Sequence, residues 1–106
     1  MPTTTGYVGT IEAETRDVNR LWFSLTEEPT GSGWIRIGAA RAWFTMRLDT
    51  ADRPTYMAQL SLLLEAMRRG WHVSVSHGGA ASFQKSDPND AFEVNGVRVL
   101  RSGIHF

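Results

Sequence analysis

The sequence predicts a single, mainly β domain with one helix, in the order three strands, helix and two or more further strands. Most of the chain consists of short runs in which apolar and polar residues alternate, which is the pattern of half-buried strands. Only one segment, residues 50–70, repeats its apolar residues with the period of a helix. The length of 106 residues fits one domain with one core.

Three strands are predicted before the helix. The first covers residues 6–16, whose two glycines indicate a bulge or a tight bend. The second covers residues 20–25, and residues 26–33 after it form a loop rich in Pro and Gly. Residues 34–38 are either a short strand or an irregular crossing, and residues 41–49 form the third strand.

The helix is predicted over residues 50–70, with Asp52 as its N-cap and Gly70 just beyond its last turn. Its predicted core-facing stripe consists of Tyr56, Met57, Leu60, Leu63, Leu64 and Met67. Leu62 falls on the opposite side of the helix. It is therefore either an isolated apolar residue on the surface or a contact with another subunit.

Two or more strands are predicted after the helix. Residues 71–77 alternate and form the fourth strand of the chain. Residues 91–94 and 97–100 flank the dipeptide Asn95-Gly96, a strong signal for a two-residue β-hairpin. The hairpin would add a short extra strand before the last one.

This order of elements resembles that of the OB-fold over most of the chain. The resemblance implies a five-stranded antiparallel barrel, with the helix between the third and fourth strands closing one end of it. Two other folds fit the same order of elements. One is a small α+β domain with the helix packed on an open antiparallel sheet, and the other is an SH3-like barrel with an inserted helix.

Two similar runs each contain a tryptophan followed at once by a phenylalanine, Trp22-Phe23 and Trp43-Phe44. Successive side chains of a strand point to opposite faces, so the two rings of each pair cannot share a face. The other apolar residues of both runs are in phase with the phenylalanines, which places the phenylalanines inside and the tryptophans outside. The predicted core includes Leu21, Phe23, Phe44, Leu48, Leu60, Leu63, Leu64, Val73 and Val75.

The outer face of the second and third strands is the candidate site. It carries Trp22 and Trp43, and the same phase argument adds Trp34, Arg41 and Arg47. Such a face is covered by loops, covered by another subunit, or open to a ligand. Tryptophan rings stack on sugars, bases and cations, and arginines hold carboxylates or phosphates. In OB-folds this face is where oligonucleotides or oligosaccharides usually bind, and the resemblance places Trp22 and Trp43 there.

These observations predict a non-catalytic binding or assembly module without a cofactor, whose ligand is a glycan or a protein. Eleven basic and eleven acidic residues give a formal net charge of zero, which disfavours nucleic acid as a ligand. Single-stranded nucleic acid is nevertheless the alternative ligand. Arg41 and Arg47 can give a binding groove a local positive field, which is enough to hold phosphates. Ring-forming toxin B subunits, which are small homo-oligomeric OB-folds, resemble this order of elements. That resemblance adds the expectation of self-association, for which Leu62 is a candidate contact.

An enzyme is the remaining alternative, and no catalytic motif supports it. The chain has no cysteine, which excludes disulfides, thiol chemistry and thiolate metal ligands. His72 and His77 lie five residues apart on a predicted strand, so they face opposite sides and cannot chelate one metal ion together. Ser76 and His77 diverge in the same way, and we interpret His77 as a loop-edge residue and His105 as part of the chain end. The absence of a signal peptide, an apolar span and cysteines predicts a cytoplasmic protein, or a secreted one if a signal has been removed.

Overall fold

The computed structural model describes residues 2–14, 19–48, 53–81 and 90–100. The predicted N-cap Asp52 and the third histidine, His105, lie outside these residues. Within them the chain forms six strands and one helix, in the order β1 (Thr3–Glu14), β2 (Arg20–Thr26), β3 (Arg36–Ile37), β4 (Ala40–Arg47), α1 (Arg53–Arg69), β5 (His72–Ala80) and β6 (Asp90–Leu100).

Five of these strands close into a barrel. The ring runs β2-β1-β5-β6-β4, and pairing between β2 and β4 closes it. This confirms the predicted mainly β fold with one helix, and the topology is consistent with an OB-like barrel. One pairing, between β4 and β6, is parallel, so the barrel is mixed rather than purely antiparallel. The two-residue β3 pairs only with β4 and is not one of the five barrel strands. In the chain α1 lies between β4 and β5, which are the third and fourth barrel strands when β3 is left out.

A bulge bends β1 so that it can pair with two neighbours. Its first half, Thr3–Tyr7, pairs with β5, and its second half, Tyr7–Glu14, pairs with β2. The register shifts between Val8 and Thr10, which leaves Gly9 as an extra residue. The bulge predicted from the glycines of this strand is therefore confirmed.

The predicted hairpin at Asn95-Gly96 is wrong. The strand β6 runs through this dipeptide, with Gly96 opposite Ser76 and Val94 opposite His77, so that Asn95 is an extra residue in a second bulge. The reason is that β5 offers pairing partners on both sides of the dipeptide. A continuous strand keeps that pairing, whereas a turn here would give it up.

The main core fills the barrel as the strand phases predict. Phe23 and Phe44 are fully buried and their rings stack at a centroid distance of 5.4 Å. Leu48 and Leu60 are partly buried and pack against this core. Its buried members are Val8, Leu21, Phe23, Leu25, Ala42, Phe44, Met46, Leu63, Ala66, Val73, Val75, Phe92 and Val94.

The helix is rotated relative to the predicted stripe. Leu63 and Ala66 face the barrel and are buried, and so is the polar Gln59. Leu64, predicted as a core residue, is 50% exposed, so that prediction is wrong. The prediction centred the stripe on the large apolar residues, and the buried face instead includes a small residue and an amide, which hydropathy does not assign to a core.

We expect Gly6→Ala to lower the free energy of unfolding by about 1–3 kcal/mol, as overpacking does. A methyl group at this position would lie 2.9 Å from the backbone oxygen of Thr26 and 3.1 Å from Cβ of Leu25, so the backbone of β2 would have to move. Urea denaturation measures the change. The matched control is Gly79→Ala, where no atom lies within 4 Å of the added carbon. Equal losses in the two variants would show that close approach is not the cause.

Candidate functional site

Trp22 and Trp43 lie outside the barrel, as their phase predicts, but they are not open to solvent. Their exposed fractions are only 4% and 7%. With Ala91 they form a second buried cluster, against which Trp34 and Ala81 pack. Of the three alternatives for this face, cover from within the chain is the one that agrees with the burial of these two rings. We call the three tryptophans Trp22, Trp34 and Trp43 the tryptophan cluster.

The loop after β2 folds back and places Trp34 on the cluster. The backbone of Ile35 donates a hydrogen bond to the carbonyl of Leu25, and Trp34 bridges to Thr26. The Trp34 ring meets Trp43 edge-on at 5.0 Å, and its Nε1 donates to the carbonyl of Ala42 at 2.9 Å. These bonds anchor both the ring and the loop that carries it.

The tryptophan rings are packed in the geometry that aromatic pairs prefer. Trp22 and Trp43 also meet edge-on, with their centroids 6.4 Å apart. At the other end of the cluster, the guanidinium of Arg41 lies 5.2 Å from the centre of the Trp34 ring. Arg41 is exposed and Trp34 is only half-buried. At this end of the cluster the predicted site is therefore accessible at Trp34 and Arg41.

Charged residues border the other end of the tryptophan cluster. Arg20 lies opposite Arg47 across the β2–β4 pair, and Arg47 is half-buried. The Nη1 of Arg20 lies 2.7 Å from Oε1 of Glu93 and donates to Oγ1 of Thr45 at 3.3 Å. The sequence did not indicate Glu93, because it reaches this face only through the parallel pairing of β6 with β4.

His72 and His77, the two histidines within the described residues, both make contacts rather than lining an open cleft. His77 is buried in the barrel, against Phe44 and Phe92. The prediction that it lies at a loop edge is therefore wrong. Its Nδ1 lies 2.7 Å from the carbonyl of Gly78, which can only accept, so Nδ1 carries a proton. Its Nε2 lies 2.8 Å from Oγ1 of Thr4.

His72 contacts Tyr7, with the ring centres 4.1 Å apart, whereas His77 faces the core. The predicted opposite orientation of the two histidines is therefore confirmed. Within the part of the chain that the structure describes, no group of three or more His, Asp or Glu side chains is placed to hold a metal ion. Within the same residues, the helix is too short and too polar to cross a membrane.

The outer side of α1 carries a second candidate surface. In the described ranges, the large apolar side chains that are exposed all lie on this helix: Met57, Leu64 and Met67 lie on its outer side, and Leu62 points away from them. Leu62 is 43% exposed, as its position on the helix predicts. The other three were assigned to the core by their sequence period, so the sequence did not indicate this surface.

An ion-pair group closes the C-terminal end of α1. The Glu65 carboxylate accepts hydrogen bonds from Arg69 and from Arg68, the latter at 2.8 Å. The bond from Arg69, followed by that from Arg68, lowers the pKa of Glu65 below its ordinary value. The end of the helix therefore pairs two guanidinium groups with one carboxylate.

Comparison with known proteins adds no relative from which a function could be transferred. No family of known proteins and no curated protein matches this sequence. The features that bear on function are therefore the fold, the covered tryptophan cluster and the exposed apolar side of α1.

Proposed function

We propose that the chain is a non-catalytic assembly module that binds protein through the outer side of α1. One observation carries the proposal: among the described residues, the exposed large apolar side chains are confined to this helix. Single exposed apolar residues are common on protein surfaces, but several of them on one helix are typical of a surface that a partner covers.

The packing of α1 suits this role. Leu63 and Ala66 are buried against the barrel and hold the helix in place, so its outer side is presented on a rigid support. A rigid surface loses little conformational entropy when it binds. The tryptophan cluster has a different part in this proposal: it is a second core that fixes the loop after β2 and stiffens the β2–β4 pair.

We expect wild-type protein to self-associate with rising concentration, and Leu64→Glu to weaken the association by at least about tenfold. Leu64 is half exposed, so a charged side chain is tolerated in the folded monomer but would be buried without a partner in the assembly. Sedimentation equilibrium measures the mass against the 11.8 kDa of one chain. The control is Thr5→Glu, which adds the same charge at an exposed position of β1. A wild-type chain that stays monomeric up to millimolar concentration contradicts self-association.

A glycan or single-stranded nucleic acid at the Trp34–Arg41 edge is the second candidate function. It is favoured by the half-buried ring and the exposed guanidinium beside it. Titration with a glycan panel and with an oligonucleotide, followed by tryptophan fluorescence, tests it against Trp34→Ala and Arg41→Ala. Oligonucleotide binding that weakens steeply with salt supports the nucleic-acid function, through counterion release. A salt-insensitive response to a glycan supports the glycan function.

A further inference from the structure

Four apolar residues form a stripe along α1. From either end of the helix, the stripe has the same residue types in the same order and with the same spacing. Met57, Leu60, Leu64 and Met67 are separated by three, four and three positions. At about 100° per residue they fall within an arc of about 80° and extend over about 15 Å of helix. Met57, Leu64 and Met67 are exposed, and Leu60 is shared between this stripe and the core. We call these four residues the Met-Leu stripe.

We propose that the partner of α1 is a second copy of this chain, docked antiparallel about a two-fold axis along the Met-Leu stripe. This rests on the proposed function. In the antiparallel arrangement Met57 lies against the partner's Met67, and Leu60 lies against the partner's Leu64. The two-fold axis makes each contact occur twice, and because the stripe is palindromic every apolar residue meets an apolar residue. Such self-complementarity is what a closed two-fold interface requires.

The helix dipole of α1 favours the antiparallel direction over the parallel one. Arg68 and Arg69 lie in the last turn of the helix, Arg53 begins it and its first turn has no acidic residue, so the side-chain charges do not decide the direction. In a parallel pair the two last turns would lie side by side, and so would the like ends of the two helix dipoles. In an antiparallel pair the last turns lie at opposite ends of the contact. The positive end of each helix dipole then lies beside the negative end of the other, which is favourable. The zero net charge of the chain adds no overall repulsion between copies.

The size of the Met-Leu stripe sets the expected strength of the dimer. A contact limited to about three turns of helix buries less than the roughly 1,200–2,000 Å² of a standard interface. The dimer is therefore weak and depends on concentration. Met57, Leu64 and Met67 are absent from the main core of the single chain, so the packing of that core does not depend on these three side chains.

Leu62 provides a matched control, because it points away from the Met-Leu stripe by about 180° on the helix. It is exposed to a similar degree as Leu64 and lies on the same helix. We expect Leu64→Glu to shift the monomer–dimer midpoint upward by at least about tenfold, equivalent to about 1.4 kcal/mol. We expect Leu62→Glu to leave the midpoint unchanged. If Leu62→Glu shifted the midpoint and Leu64→Glu did not, α1 would still be an assembly surface, but the antiparallel contact along the Met-Leu stripe would be wrong.

Disulfide cross-linking tests the direction of the contact. The chain has no cysteine, so Met57→Cys and Met67→Cys each introduce a single thiol. After mild oxidation with diamide, we expect severalfold more linked dimer in an equal mixture of the two variants than in either variant alone. A disulfide needs Cα atoms within roughly 4.4–6.8 Å of each other. In the antiparallel arrangement position 57 of one copy lies beside position 67 of the other, whereas two copies of the same position lie at opposite ends of the contact. Efficient linking within each variant alone would show a parallel contact and overturn the proposal.

The two proposals fail in distinguishable ways. A wild-type chain that stays monomeric overturns the dimer along the Met-Leu stripe and leaves only a different protein as the partner of α1. A chain that associates but gives no linked dimer in the mixture or in either variant keeps the assembly function and overturns the Met-Leu stripe. Urea denaturation of each cysteine variant before oxidation confirms that it is folded, and substitution at these exposed positions should change stability by less than about 1 kcal/mol.

Discussion

Replacing Phe44 with Ala should lower the free energy of unfolding by about 3–5 kcal/mol. The Phe44 ring is fully buried where three aromatic rings meet it, with centroid distances of 5.4 Å to Phe23, 5.5 Å to His77 and 6.0 Å to Phe92. Its removal leaves a cavity between β2, β4, β5 and β6, which other residues can fill only if the barrel deforms.

Urea denaturation at low protein concentration measures this loss without a contribution from association. Leu64→Ala is the control, because it also truncates a large apolar side chain, but one that is half exposed. We expect the control to lose less than about 1 kcal/mol. If Phe44→Ala also lost less than about 1 kcal/mol, the strand phase of β4 would be wrong.

Replacing Trp43 with Ala should also lower the free energy of unfolding by about 3–5 kcal/mol. The phase argument alone predicts the opposite, namely that this variant folds almost normally because its ring lies outside the core. The structure reverses that expectation, because Trp43 is 7% exposed and packs between Trp22 and Trp34. Its loss would remove the centre of the second cluster and free the loop that carries Trp34.

The half-buried Trp34 gives the matched comparison for Trp43, measured in the same urea experiment. Trp34→Ala should cause a clearly smaller loss, because part of its ring is already in contact with solvent. If Trp43→Ala folded with a loss under about 1 kcal/mol, the cluster would be open rather than closed. The ligand-binding surface on β2 and β4 would then be the better functional hypothesis.

The strand phases were predictable because side chains alternate along a strand regardless of its partners. Phe23 and Phe44 lie inside for that reason, and Trp22 and Trp43 lie outside for the same reason. Whether an outer residue is exposed depends on what folds over it, and phase contains no information about that. The cover includes Trp34, which returns through the loop after β2, and Ala91, which arrives on β6 through parallel pairing.

Two further differences have local causes. Asn95-Gly96 is a common hairpin sequence, but here β5 provides continuous pairing and the dipeptide is absorbed as a bulge. Leu64 belongs to an apolar arc, yet only part of that arc faces the barrel, since Ala66 and Gln59 occupy the buried side. The excess of apolar residues on α1 misled the prediction of its core face. The same excess now indicates its outer side as a docking surface.

Whether the chain associates through α1 and not through its tryptophan cluster is tested most directly by amide proton–nitrogen correlation spectra over a dilution series. One such spectrum reports on the backbone of α1 and on the indole N–H of Trp22, Trp34 and Trp43. We expect concentration-dependent shifts for the amides around Met57, Leu64 and the other residues of the Met-Leu stripe, with the indole signals unchanged. Shifts at the indoles with constant α1 amides, or no shifts up to millimolar concentration, would contradict association through the helix.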